Sequence, residues 1–433
     1  MSRELPFGVV LRLAFYRVVF PVLLLFFLPS MIRRMVKRGN FRRHLGQRFG
    51  LFTPEFKSLL GGQKTIWLQS ISVGETQVAL KLARQWIVRE PDCHFVISVT
   101  TSTGFDLASR SGSEKIHAIY NPIDMAGFVR RTLDAVQPAA LVLVEGTWPV
   151  LLAETWRRGI PVSLVARLSP RSARRFARFR SFTGPIFGLL DAVYVQEPEE
   201  KHIWENLGAR AGAIHCTGSI KYDEPPAKGA LREDLVAVLR KTNTAATSLI
   251  LLAGSTFPGE EVILARVFLK LRTVFPDLFL VLVPRHVERT PEIVAELTPL
   301  PLQIALRTES EPKEADVLIV NTTGELRDWY RCATVVFIGK SLTSTGGQNP
   351  VEPVLLGKPV VFGPRMENFA PIVRSWLQND AAIQVADESE LAAQVERLLK
   401  DPELRERLAA KALDAISRHF GATERVINHL TTL

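Results

Sequence analysis

Residues able to do chemistry gather in a few short stretches. Ser72, Gly74 and Glu75 lie in SVGE, directly after the apolar run TIWLQS and at the start of a segment with helical periodicity. Gly74 suits a tight turn, and Glu75 falls in a first helical turn, where the macrodipole favours a carboxylate. Such a Glu can take a proton from a bound hydroxyl, or it can be an ordinary helix-starting residue. Thr101 and Thr103, in VTTSTG, again follow an apolar run; their hydroxyls can cap a helix or meet a ligand. RSARRFARFR, residues 171–180, interleaves Arg171, Arg174, Arg175 and two further arginines with Phe176 and Phe179. That pattern fits the phosphates of a lipid or membrane surface, or a solvated helix face.

The second half has its own set. Gly254, Ser255 and Thr256 precede Pro258 and a helical segment from about residue 258. Small residues at a helix N-terminus leave N–H groups suited to a phosphate. The Walker spacing and its Lys are missing, so this is not a P-loop. Arg285 and His286, in VPRH with Arg289 nearby, are candidate ligands for a phosphate or carboxylate. Gly324, Glu325 and Leu326 stand at a strand–helix junction. Residues 345–352, TGGQNPVE, combine glycines that admit a ligand to the backbone with Asn349 and Glu352, which can bond sugar hydroxyls.

These stretches need a scaffold. In a chain of 433 residues, two domains of about 200 residues each are expected. From residue 64, short apolar runs (TIWLQS, HFVISVT, ALVLVE, PVSLVA, AVYVQ) alternate with helical segments. A second series (SLILLAGS, LFLVLVP, DVLIVN, TVVFIG, KPVVFG) starts near residue 248. Strands apolar on both faces and alternating with helices predict parallel sheets covered by helices. The reading is therefore α/β: residues 1–40 as a membrane anchor with a basic flank, 41–223 as one Rossmann-like domain, 224–247 as a linker, and 248–433 as a second such domain. The two are expected to face a central cleft, since ligands bind beyond the carboxyl ends of strands in open α/β sheets. Residues 387–430 read as mostly helical and are expected to pack back on the first domain.

The net charge of +10 is uneven. Residues 1–60 hold eleven Lys or Arg against two Glu, which is +9 of the total. A basic terminal segment fits anionic lipid and excludes a nucleic-acid-binding body. Residues 9–31 are strongly apolar but carry Arg12 and Arg17, and the uncharged run 18–32 contains Pro21 and Pro29. With about 20 apolar residues needed for a span, the segment reads as a short span, a re-entrant anchor or an interfacial helix. Arg33, Arg34, Lys37, Arg38, Arg42 and Arg43 follow it and favour a cytoplasmic body. Since every candidate catalytic residue lies after Lys64, residues 1–32 are expected to be separable from the folded enzyme. Cys93, Cys216 and Cys332 follow no metal-ligand spacing and read as reduced thiols.

Taken together, RRHLGQRFG, SVGE, TTSTG, TGSIKYD, AGSTFPGEE, VPRHVER, NTTGEL and GGQNPVEP, in this order from residue 42 onward, resemble the Kdo transferase family. The resemblance implies the GT-B fold and transfer of 3-deoxy-D-manno-octulosonic acid from CMP-Kdo to a lipid A precursor. It implies an N-terminal attachment to anionic lipids of the bacterial inner membrane and a cytoplasmic active site. Glu75 would be the general base of an inverting reaction, and Ser72, Gly74, Thr101, Thr103, Glu145, Arg167 and the arginines of 171–175 would lie on the acceptor side. Ser255, Thr256 and Arg285 would meet the phosphate, and Asn349 and Glu352 the ribose; Gly254, His286 and residues 324–326 complete the donor side. No Asp-x-Asp cluster is present, and no metal or other cofactor is expected.

The sequence departs from the family pattern in several places. The usual ETEIWP reads VEGTWP at 144–149, so that, aligned on Trp148 and Pro149, the two family carboxylates fall at Val144 and Gly146, with Glu145 between them. Asn-Ala-Arg reads Val165-Ala166-Arg167, Gly-Gly-Ser reads Gly339-Lys340-Ser341, and the His of HGGQN is Thr345. A changed donor or acceptor, or a binding protein without turnover, remain the alternatives.

Overall fold

The computed structural model describes residues 3–38, 44–168, 170–224, 231–242, 249–309 and 314–432. Arg42 and Arg43, and much of 224–247, lie outside them. The chain forms two compact units, Met1–Asp223 with His419–Leu433, and Glu224–Arg418.

In the first unit the apolar runs form seven parallel strands: β1 (Thr65–Gln69), β2 (His94–Val99), β3 (Ile116–Tyr120), β4 (Ala140–Val144), β5 (Val162–Val165), β6 (Ala192–Val195) and β7 (Ile214–Cys216). Their order is β3-β2-β1-β4-β5-β6-β7. The first strand is central, and the order reverses between β1 and β4, whose register pairs Ile66 with Ala140 and Gln69 with Leu143. All five residues of β1 are buried, because helices cover both faces. One face packs on Trp67, Leu141 and Phe187, the other on Trp86, Phe95 and Val142. Each large apolar side chain so buried contributes roughly 1.5–3 kcal/mol.

The second unit repeats the plan with β8 (Ile250–Thr256), β9 (Phe279–Pro284), β10 (Ile304–Leu306), β11 (Val317–Ile319), β12 (Val335–Ile338), β13 (Val360–Phe362) and β14 (Ile383–Gln384). The order is β10-β11-β9-β8-β12-β13-β14, again parallel and again with the first strand central. Its reversal lies between β8 and β12. Such switch points are where strand-end loops diverge and leave room for a ligand.

Two boundaries differ from the sequence reading. The stretch expected to be a linker contains the helix Glu233–Lys241, whose Leu235, Val238 and Leu239 are buried, and it belongs to the second unit. Residues 419–433 belong to the first unit instead of the second. Their helix Ala422–Leu430 puts Val426, Ile427 and Leu430 into the core beside Leu80 and Ala83. The Asp223 carboxylate fastens it, accepting hydrogen bonds from the N–H groups of Gly421 and of Thr423 (2.7 Å).

The N-terminal helix runs unbroken from Phe7 to Arg38, through both prolines. Its Phe7–Phe26 portion is long and apolar enough to cross a membrane, by length and composition alone. Its first half is nevertheless docked. Val9 and Leu13 are buried in the first unit's core, and Tyr16 packs beside them. Arg3 pairs with Asp191 at 3.0 Å, and Arg17 with the buried Glu154 at 3.4 Å. The opposite face is bare: Phe7 is 83% exposed, Phe15 62% and Val18 70%. Contrary to the expectation of a separate anchor, the first part of residues 1–32 is thus packed into the first unit, and deleting it would uncover that part of the core. The periodicity of Val9, Leu13 and Tyr16 was hidden in a run that is apolar all round.

Candidate functional site

In the first unit, the carboxyl ends of β1, β4 and β5 bring Glu75, Glu145 and Arg167 together. The helix Val73–Arg89 begins where Ser72 leaves β geometry, and Ser72 Oγ accepts the Glu75 N–H at 3.3 Å. The same hydroxyl donates to Glu75 Oε1 at 2.9 Å, and the Ile71 N–H donates to Oε2 at 2.6 Å. Burial raises the Glu75 pKa above the usual carboxylate range, opposed by these hydrogen bonds and by the charge of Arg167. Gly74 makes no tight turn here. It sits inside the first helical turn without a left-handed φ, and a Cβ there would meet nothing. Thr101 caps the helix Ser102–Arg110 by accepting the Gly104 N–H at 3.1 Å, and the Thr103 hydroxyl lies 3.4 Å from that of Thr101.

Glu145 follows β4 in the left-handed region, φ 62°. Its carboxylate lies 3.6 Å from the Arg167 guanidinium. Burial raises its pKa, Glu75 raises it further, and Arg167 and Lys221 oppose the rise. Glu145, Arg167, Lys221 and Tyr222 line one small pocket with Val78 and Gln196. Lys221 is a site residue that the sequence reading passed over, although TGSIKYD contained it. Desolvation, then the charge of Arg167, brings its ammonium down to about 8, with Glu145 opposing. At Gly146 a Cβ would meet the tip of the Ile71 side chain, which would have to turn aside to admit it.

Other motif residues buttress this edge. Arg48 Nη2 donates to the Thr100 carbonyl at 2.7 Å and stacks on Tyr120, and Gln47 Oε1 accepts the Tyr120 N–H at 3.0 Å. Arg174 and Arg175 are exposed on the helix Pro170–Arg178. No hydrogen bond or ion pair among the described residues links them to Glu75 or Glu145. Arg171 is on the same helix, with its side chain outside what is described.

In the second unit, Gly254, Ser255 and Thr256 end β8 instead of opening a helix. The helix starts later, at Glu260, because Phe257 and Pro258 carry the chain over to Gly259, its N-cap at φ 86°. Gly254 is required by packing, since a Cβ would strike the Tyr330 hydroxyl. Thr256 is fully buried and its hydroxyl donates to Glu261 at 2.8 Å, so it does not face a phosphate as expected. Glu261 in turn pairs with Arg289 at 3.0 Å. Ser255 takes φ 57° and is largely buried. Glu260, also passed over, is enclosed: its carboxylate accepts the N–H groups of Phe257, Lys340, Ser341 and Leu342 at 2.7–3.0 Å.

Arg285 and His286 are exposed at the end of β9, and His286 lies 3.3 Å from Glu288. Asn349 donates to Glu352 at 2.9 Å and accepts the Val351 N–H at 3.1 Å. Burial raises the Glu352 pKa, with Asn349, Arg327 and Arg285 opposing and Glu224 adding to it. Arg285, Asn349 and Glu352 thus share one electrostatic neighbourhood. The Glu325 carboxylate is turned away into a network with Thr322 (2.6 Å), Arg307 (3.3 Å) and Trp329 (3.4 Å). Gly324, at φ 87°, and Leu326, which opens the short helix Leu326–Trp329, offer only backbone and apolar surface.

Residues 43–224 match the family model described as 3-deoxy-D-manno-octulosonic-acid transferase (kdotransferase). The 3-deoxy-D-manno-octulosonic acid transferase of Haemophilus influenzae is 29% identical over 401 residues, covering 91% of this chain and 92% of that protein. Over nine tenths of its length the chain is thus similar to Kdo transferases. Among solved structures, the UDP-GlcNAc 2-epimerase of Neisseria meningitidis aligns with a TM-score of 0.56 at 13% identity, over 86% of this chain and 100% of that one. A glycosyltransferase from Rickettsia africae gives 0.54, also at 13%, over 85% and 98%. At that identity the likeness concerns the fold alone, and it is the GT-B fold.

Proposed function

We propose that this glycosyltransferase moves Kdo from CMP-Kdo to a lipid A precursor with inversion at the anomeric carbon. The observation carrying this reading is the Glu75 carboxylate. It is fixed by Ile71 and Ser72 at a switch point, has a raised pKa, and lies in the field of Arg167 near Glu145. A base of this kind takes the proton of the acceptor hydroxyl as its oxygen attacks the anomeric carbon. The bond from that carbon to the phosphate oxygen breaks, and CMP leaves with the electron pair. Arg285 and Ser255 receive the phosphate, and Asn349 and Glu352 hold the ribose. CMP is a good leaving group, and the reaction needs no metal.

Arg167, Arg174 and Arg175 face the acceptor's anionic groups or the lipid headgroups around it. The bare face of the N-terminal helix, with the basic residues after it, attaches the enzyme to anionic lipid on the cytoplasmic face of the inner membrane. The test is incubation of the detergent-extracted full chain with CMP-Kdo and lipid A precursor, followed by mass spectrometry of the lipid. A mass increase of one or more Kdo residues is expected, and an unchanged lipid rejects the reading. A second reading, the same fold with a changed acceptor, is favoured by Gly146, which brings no side chain to the position beside Glu145 where the resemblance places a carboxylate. Transfer to another lipid-linked sugar, with none to lipid A precursor, would select it.

A further inference from the structure

The switch point of the second unit carries a cation where the family pattern has glycine. Lys340 directly follows β12, the neighbour of β8 across the reversal in strand order. Its backbone is in the left-handed region, φ 61°, a conformation that costs a side-chain-bearing residue and costs glycine nothing. The surroundings impose that conformation. The Lys340 N–H donates to Glu260 at 2.7 Å, its carbonyl accepts the Gly347 N–H at 3.2 Å, and Gly339 presses on the Ser255 carbonyl so closely that no Cβ would fit.

The side chain is not used by the fold. Its ammonium rests 4.9 Å from the centre of the Phe257 ring. Among the described residues it has no carboxylate at ion-pair distance. The carboxylate beneath it, Glu260, is already engaged by four backbone N–H groups. The Phe257 ring meets His286 edge-on at 5.6 Å, and the Arg285 N–H donates to the Thr256 carbonyl at 3.1 Å. Lys340, Arg285 and His286 therefore share one corner, at the ends of β8, β9 and β12. Besides Glu260, the acidic groups at that corner are Glu261, buried and paired with Arg289, and Glu288, beside His286.

We propose that Lys340 is a donor-binding residue of this chain: its ammonium leaves the Phe257 ring and engages the phosphate of the bound nucleotide, opposite Arg285. A charge-assisted hydrogen bond to a phosphate outweighs a cation–π contact at an open ring, so the exchange is favourable. The inference rests on the reading of the second unit as the nucleotide side, and it adds a second phosphate cation that the family's glycine cannot supply.

Calorimetry on the detergent-extracted full chain tests it, with CMP, cytidine and UDP as probes and Lys340→Gly and Lys340→Met as variants. Lys340→Gly relieves the left-handed strain, so its fold is not at risk. Both variants are expected to bind CMP about tenfold or more weakly, as loss of a charge-assisted bond requires, with cytidine unchanged within about twofold. Equal CMP affinity in all three chains overturns the role of Lys340 and leaves the CMP-Kdo reading standing. A wild-type chain that prefers UDP, with UDP lost in both variants, keeps Lys340 and rejects CMP-Kdo. A wild-type chain that binds neither nucleotide overturns both.

Discussion

Glu75 and Glu260 occupy equivalent places. Each lies in the first turn of the helix that follows the central strand of its unit, and each is drawn onto backbone N–H groups. Burial raises the pKa of both. Yet Glu260 is sealed by four N–H groups and fully buried, whereas Glu75 receives one N–H and one hydroxyl and remains partly exposed. A carboxylate at a helix start is thus a structural strut or a proton acceptor according to how much of it a ligand can reach. Glu200 makes the same point within the first unit. It closes a capping box with Glu197, and its pKa is raised by burial, with no need of a catalytic role.

The contrast can be broken by substitution. Glu75→Gln is expected to lower turnover by about 10²–10⁴-fold, with CMP affinity and melting temperature close to wild type. A variant that keeps more than about a tenth of wild-type turnover removes Glu75 from the chemistry. Glu260→Ala should do the reverse. It strands buried N–H groups, at a cost of about 3 kcal/mol, the upper end for one unsatisfied buried group. The expected readout is early unfolding of the second unit in urea; an unchanged midpoint would mean that the strut is dispensable.

Glu352→Ala should weaken CMP binding by roughly 1.5–3 kcal/mol, the worth of a charge-assisted hydrogen bond. Unchanged calorimetric affinity would take Glu352 off the ribose. The smallest effect concerns pH. Glu75 must be ionised to accept a proton, so kcat/KM should rise with pH through a pKa above the ordinary carboxylate range. The positive charge of Arg167 holds that pKa down. Arg167→Gln should therefore move the acidic limb to higher pH; a limb that stays in place or moves down contradicts the assignment.

Much of this was legible in the sequence, for local reasons. β1, β2, β4, β8 and β9 are apolar runs bounded by polar residues, and Glu75 directly follows one of them. The edge strands β3, β7, β10 and β14 were not legible, since IHAIY, IHC, IAL and IQ are very short or broken by a polar residue and take their form from a single neighbour. Glu260 was passed over because three of its four partners, Phe257 apart, lie about eighty residues further along the chain. Thr256 looked like a phosphate ligand because its commitment to Glu261 is a tertiary fact. The docking of Val9 and Leu13 could not be told from membrane burial, because hydropathy does not distinguish a protein core from a lipid one.

The clasp between Asp223 and Gly421 has a consequence for biosynthesis. The sheet of the first unit is complete by Cys216, but the helix that closes one face of it contains Val426 and Ile427. During synthesis the whole of Glu224–Arg418 emerges before that helix does. The first unit, though its sheet is made earlier, thus keeps apolar surface around Leu80 and Ala83 uncovered until the last residues of the chain are free. A stop codon just after residue 418 would leave the later-made half intact and the earlier-made half unfinished, an inversion of the usual damage done by truncation.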